Sequence, residues 1–142
     1  MTQYLKSVDL DAPPSRVWDV LSDVERWHEW TASITRIERL NALPVQVGAR
    51  FRVKQPKLAA NDWLVTMAEP SAGFTWETRS PGLHIAGEHL IKPVGNGTCV
   101  LLRLSFNGWL GKLMGRLGRK LILEYLDMEA AGLKKAVELP RS

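Results

Sequence analysis

SVDLDAPPSRVWDVLSDVERWHEW, residues 7–30, is the stretch on which the fold turns. It begins inside an alternating segment. In YLKSVDL (4–10), Tyr4, Lys6, Val8 and Leu10 share one face, the period-two mark of a strand. DAPPS follows, and proline at a helix entrance presets the backbone angle that the first turn needs. Val17, Val20 and Leu21 then recur at helical spacing, with Trp18 at the edge of their face. Ser22 and Glu25 have the spacing of a capping box, which predicts a second short helix carrying Val24, Trp27 and Trp30. Three of the six tryptophans therefore fall within residues 17–30. Helices this short do not stand alone in water. Trp18 and Trp27 are read as wedges that anchor them on a sheet, since a large aromatic buries about 150–250 Å².

The sheet comes next in the chain. ITRIERL (34–40), ARFRVK (49–54), WLVTM (63–67), FTWET (74–78), LHIAGEHLIKP (83–93) and TCVLLRLSF (98–106) all read as strands. VGNG (94–97) is a hairpin signal, because Asn-Gly accepts the positive φ angles of a tight turn. Strands joined by short turns in chain order imply an antiparallel meander. From residue 110 to 138 the period returns to that of a helix, with Leu110, Met114, Leu117, Leu121, Tyr125 and Met128 on one stripe and no proline before Pro140. The pattern predicts an α+β fold: a curved antiparallel sheet of about seven strands wrapped around one long C-terminal helix, with two short helices after the first strand. A single domain over 1–142 is expected, with a gap left between the concave sheet and the helix.

Composition narrows the function classes. The chain is 45% hydrophobic and 24% charged, which excludes an extensively disordered protein. A net charge of +4 permits contact with an anionic surface without requiring it. Cys99 is the only cysteine, so no disulfide forms within the chain, and its apolar run places it as a small core residue. MTQYLKSVDLDAPP does not read as a signal peptide, and no run approaches the roughly 20 apolar residues of a membrane span. A soluble, cytoplasmic protein is expected. No nucleophile elbow, P-loop or HExxH motif occurs, three histidines offer no iron-site spacing, and no basic-aromatic nucleic-acid reader is present. Neither a metal nor a cofactor is expected.

The same residues carry a resemblance. The stretch at 7–30, VGAR at 47–50, HLIKPVGNGTCVLLRLSFNGWLG at 89–111 and AAGLKKAVE at 130–138 together resemble the START-like (SRPBCC, helix-grip) superfamily. The similarity is greatest to its small polyketide cyclase/dehydrase-like group. It implies an apolar ligand held between sheet and long helix, and no universal catalytic residue. The chaperone-ATPase activators of this fold carry a different Trp-Trp pairing, and the iron–sulfur ligands of Rieske-type oxygenases are missing.

Candidate ligand-binding residues are those on the apolar sheet face and helix stripe: Phe51, Val53, Trp63, Val65, Met67, Phe74, Trp76, Ile85, His89, Ile91, Leu102, Leu104, Met114, Leu117, Leu121 and Tyr125. Trp30, at the helix exit, is the tryptophan of its cluster placed to see the cavity. His89 and Tyr125 are the polar members, and they are the catalytic pair if the protein is an enzyme; histidine ordinarily titrates near neutrality. Arg103, Glu88 and Asp62 fall on the outward phase. Two readings stand at this point: a binding protein for a small hydrophobic molecule, lipid-like or aromatic, and a polyketide cyclase or dehydratase using the same cavity. Lys112, Arg116, Arg119 and Lys120 offer a transient contact with a membrane surface or form a solvated helix face. Oligomeric state has no signature in the sequence.

Overall fold

The computed structural model describes residues 2–138. β1 (Thr2–Leu10) leads through α1 (Pro14–Ser22) and a 3-10 helix (Val24–Glu29) into β2 (Arg36–Arg39), β3 (Arg50–Lys54), β4 (Asn61–Glu69), β5 (Gly73–Ser80), β6 (Leu83–Val94) and β7 (Gly97–Asn107). Two helices, α2 (Gly108–Leu117) and α3 (Arg119–Glu138), complete the order. The strands form one seven-stranded antiparallel sheet in the order β1-β7-β6-β5-β4-β3-β2. Strands β2 to β7 are a meander, and β1 closes the far edge by pairing with β7.

The core lies where α3 crosses the concave face. Leu126, Ala130, Leu133 and Val137 of α3 are buried at the spacing of one helical stripe. Lys6, on the inward phase of β1, reaches Asp127 of α3 at 3.2 Å instead of packing as an apolar side chain does. The wedge role of the first tryptophans has a clear geometry. Trp27 is 1% exposed and donates its indole N–H to the Leu21 carbonyl at 3.0 Å. Burying that ring contributes about 4 kcal/mol at about 25 cal/mol per Å². Trp18 packs edge-on to Phe74 at 6.4 Å.

Local structure departs from the sequence reading in five places. The capping box does not form: α1 runs through Ser22, the following turn is 3-10, and neither has a side-chain cap. Glu25 pairs instead with Arg39 at 3.0 Å. In the β6–β7 hairpin the turn positions belong to Gly95 and Asn96, not Asn96 and Gly97. Gly95 has φ +58°, and Gly97 already pairs with Val94. A bulge between Val65 and Met67 turns Met67 to the outer face, where it is 40% exposed. Cys99, paired with Asp9 and Lys92, is only partly buried. Finally, the C-terminal helical region is two helices. It breaks at Gly118, whose N–H donates to the Met114 carbonyl at 2.8 Å and whose residue leaves helical geometry at ψ 10°. Absence of proline does not guarantee continuity where glycine recurs at 111, 115 and 118.

Candidate functional site

The concave sheet and the α2–α3 region enclose a cavity of about 610 Å³. Its sheet wall alternates as the strands do: Val53 from β3, Trp63 from β4, Trp76 from β5, Ile85, Gly87 and His89 from β6, and Leu102 and Leu104 from β7. Gly87 is what gives Trp76 its place, because a Cβ there would lie 3.0 Å from the indole nitrogen. Met114, Leu117, Leu121, Tyr125 and Glu129 face the cavity from α2 and α3. The β3–β4 connection supplies Gln55, Leu58 and Ala59 at the rim, and Trp27 adds its ring to the wall.

Eleven residues picked from the sequence thus come together here: Val53, Trp63, Trp76, Ile85, His89, Leu102, Leu104, Met114, Leu117, Leu121 and Tyr125. Six do not line the cavity. Phe51, Val65 and Phe74 are fully buried in the core, where Phe51 and Phe74 pack against the Trp76 ring at 6.2 and 5.3 Å. Ile91 is buried opposite Val100. Met67 faces outward at the bulge. Trp30 and Trp27 exchange their expected places: Trp30 packs its backbone against Gly132 of α3, and Trp27 is the indole at the cavity. Arg103 and Glu88, expected on the outward phase, are among the residues lining the cavity. They pair across β7 and β6 at 3.2 Å, and Arg103 Nε is buried without a hydrogen-bond partner. Asp62 stays outside the lining, held by Arg52 at 2.8 Å.

The polar centre of the site is His89, whose side chain is 6% exposed. Its ring stacks on Phe74 at 4.4 Å, with Trp27 and Trp76 edge-on at 5.3 and 5.7 Å. Its Nε2 lies 3.3 Å from Oε1 of Glu129, close enough for ion pairing but without hydrogen-bond alignment. Nδ1 of His89 and Oε1 of Glu129 are both buried without a hydrogen-bond partner. Buried polar groups are nearly always satisfied, so two unmet atoms on one pair mark this spot. His89 and Tyr125, paired in the sequence reading, both line the cavity, and no hydrogen bond joins them. The Tyr125 hydroxyl donates to the Pro56 carbonyl, tying α3 to the β3–β4 connection. Burial pushes the phenol up, with the Glu124 charge adding to it, so it stays a donor at neutral pH. Glu129 was the residue missed. It sits one turn beyond Tyr125 on the stripe that carries Leu121, and that spacing was its signal.

Burial, with the Asp9 charge adding to it, also raises the Cys99 thiol, which keeps it protonated at neutral pH. Among the described residues no three His, Cys, Asp or Glu side chains converge as a metal site would require.

Residues 1–138 match the family described as "Polyketide cyclase / dehydrase and lipid transport". The chain belongs to that family. Solved structures similar to this family member include a START superfamily protein from Mycobacterium smegmatis, with TM-score 0.78 and 18% identity over 97% of this chain and 98% of that one. TTHA0849 from Thermus thermophilus gives 0.75 and 20% over 95% and 96%. The Zhui aromatase/cyclase from Streptomyces sp. R1128 gives 0.68 and 18% over 95% and 90%. At these identities the likeness shows the fold, the START-like helix grip. No curated protein sequence matches the chain.

Proposed function

We propose that this member of the polyketide cyclase/dehydrase and lipid-transport family binds a small, largely apolar molecule, lipid-like or aromatic, in the cavity between sheet and helices. The observation that carries the reading is the cavity itself, about 610 Å³ and walled mainly by aliphatic and aromatic side chains. That volume and lining suit a small-molecule site. The residues proposed to hold the ligand are Trp63, Trp76, Ile85, Leu102, Leu104, Leu121 and Tyr125 around it, with His89 and Glu129 as polar contacts. Native mass spectrometry of the freshly purified protein, joined to thermal shifts with fatty acids, sterols and polycyclic aromatics, tests it. A discrete mass lost on denaturation, or stabilisation by one class, supports the reading. A bare protein that none of them stabilises overturns it.

The His89–Glu129 pair favours a second reading, an enzyme of the cyclase or dehydratase type. A carboxylate beside an imidazole orients it for proton transfer. Tyr125 joins such a reaction only by giving up Pro56. Turnover of a poly-β-ketone that His89→Ala abolishes while binding persists supports this; a wild type without turnover overturns it.

Ligand exchange in this reading occurs at an anionic bilayer. Lys112, Arg116, Arg119 and Lys120 are all exposed, and none is ion-paired among the described residues. No acidic residue occurs between 108 and 123. Trp109, Leu113 and Leu117 add an apolar row exposed by 72, 47 and 79%. Basic charge beside exposed indole and leucine suits the headgroup boundary of a negatively charged membrane.

A further inference from the structure

Along the helical stripe the cavity deepens. Leu117, at the end of α2, is 79% exposed, whereas the Glu129 side chain, beyond the break at Gly118 and well along α3, is 16% exposed. From Leu121 to Glu129, both on α3, the helix rises about 12 Å. Leu117 therefore stands at the mouth, and Glu129 with His89 at the inner end. Between them the stripe offers Leu121, Tyr125 and Leu126, and the Tyr125 hydroxyl is already engaged with Pro56.

We infer that this inner end is a recognition site for a hydroxyl group, so that the ligand is an apolar molecule carrying a phenolic or enolic O–H that donates to Glu129. The inference rests on the cavity-binding reading above and names its ligand class. An ionised carboxylate only accepts hydrogen bonds. Its neighbour His89 stands 3.3 Å away and leaves Oε1 unsatisfied. That oxygen accepts no hydrogen bond from His89 or any other described residue, and a ligand hydroxyl supplies one. A carboxylate ligand is repelled here. A ligand cation leaves water at far greater cost than a neutral hydroxyl does. His89 is a positioning residue. Clamped by Phe74, Trp27 and Trp76, it fixes the side of Glu129 that faces the protein and leaves the remaining acceptor capacity to the ligand.

The test measures binding of 2-naphthol, its near-isostere 2-methylnaphthalene and the cation 2-naphthylmethylammonium. Proteins compared are wild type, Glu129→Leu, Glu129→Gln and His89→Phe. The wild type is expected to prefer the naphthol over the methyl compound by about tenfold or more, the scale of a hydrogen bond to a charged acceptor. Glu129→Leu should bring the ratio to about one while keeping methylnaphthalene affinity, which reports an intact cavity. Removing a buried charge in favour of an apolar side chain is compatible with folding. Glu129→Gln should restore part of the preference. Bound naphthol should show phenolate-like emission from proton transfer to the carboxylate, lost in Glu129→Leu and weakened in His89→Phe. Equal binding of naphthol and methylnaphthalene by the wild type overturns hydroxyl recognition and leaves the cavity reading standing. Tighter binding of the ammonium compound overturns the ligand class. Failure of all three to bind overturns the cavity reading itself.

Discussion

Replacing Gly132 by alanine makes a prediction whose sign is decided by one contact. Gly132 is a buried interior position of α3. On a free helix the change stabilises, because alanine is about 1 kcal/mol better than glycine there. Here the new Cβ would lie 1.8 Å from the carbonyl oxygen of Trp30, 2.9 Å from its carbonyl carbon and 3.2 Å from its ring. Real Cβ atoms essentially never approach within 3.0 Å, so α3 and the 3-10 helix must part by at least about 1.2 Å. The oxygen is backbone, and no rotamer change removes it. Overpacking of this kind costs about 1–3 kcal/mol, and the opposing atom puts this site at the upper end. After the helix gain is subtracted, a net loss of about 2 kcal/mol remains. At a few degrees per kcal/mol the melting temperature falls by about 5–10 °C.

Urea unfolding followed by circular dichroism measures this directly. Ala131→Gly, at an exposed neighbour in the same helix, calibrates the propensity term and should lose about 1 kcal/mol. Trp27 packs against Trp30 at 5.4 Å, the rings tilted by 50°, and meets His89 at 5.3 Å, so the displacement should also disturb the cavity end. A Gly132→Ala protein more stable than wild type would refute the close approach of the 3-10 helix to α3, and with it the way Trp27 is seated.

Three further outcomes are expected. Lys134, and then the Asp11 N–H, hold the Glu138 carboxyl below its ordinary value, so its stabilising contribution is present above about pH 4.5 and disappears as pH falls. Acid melts should therefore be steeper for wild type than for Glu138→Gln, and parallel curves would contradict the pairing. Tyr125→Phe should cost about 1 kcal/mol or less and speed amide exchange in residues 55–60, since it removes the bond to Pro56; unchanged exchange there would show that this bond does not hold the rim. Cosedimentation with phosphatidylserine vesicles should weaken by tenfold or more in a Lys112→Gln, Arg116→Gln protein, at about 1 kcal/mol per basic residue. Equal binding to neutral vesicles would remove the electrostatic basis of membrane contact.

The strands were legible because each buries one face: Phe51 and Val53 inside, with Arg50 and Arg52 outside, is a pattern that nothing else produces. The exceptions are places where a three-dimensional event overrides the period. Met67 breaks its alternation through a bulge, and no single residue in WLVTM announces that extra step. Trp27 and Trp30 lie three apart and look equivalent in sequence. Which of them meets the cavity depends on Gly132, a residue more than a hundred positions away that lets α3 come down on the Trp30 carbonyl. Glu129 escaped notice because a charge on an apolar stripe reads as the end of the stripe. Its meaning appears only when His89 arrives from β6.

The stripe itself shows how far periodicity reaches. Met114, Leu117, Leu121 and Tyr125 have the spacing of residues that pack on a sheet, yet the positions of α2 that pack are Gly111 and Gly115. A Cβ on Gly115 would lie 3.1–3.3 Å from the Phe106 ring, and the Gly115 carbonyl accepts the Tyr4 hydroxyl at 2.7 Å. Glycine lets α2 sit close to β7 on one side, so its large residues project from the other. The break at Gly118 then redirects the chain into α3, whose own packing residues start at Leu126. The apolar stripe is thus left over a space of about 610 Å³ instead of against protein. Periodicity reports that a face avoids water; whether protein or ligand covers it is settled by the small residues on the opposite face. Filling Gly115 with a larger side chain should push α2 outward and alter the mouth, while the α3 packing below Gly118 stays in place.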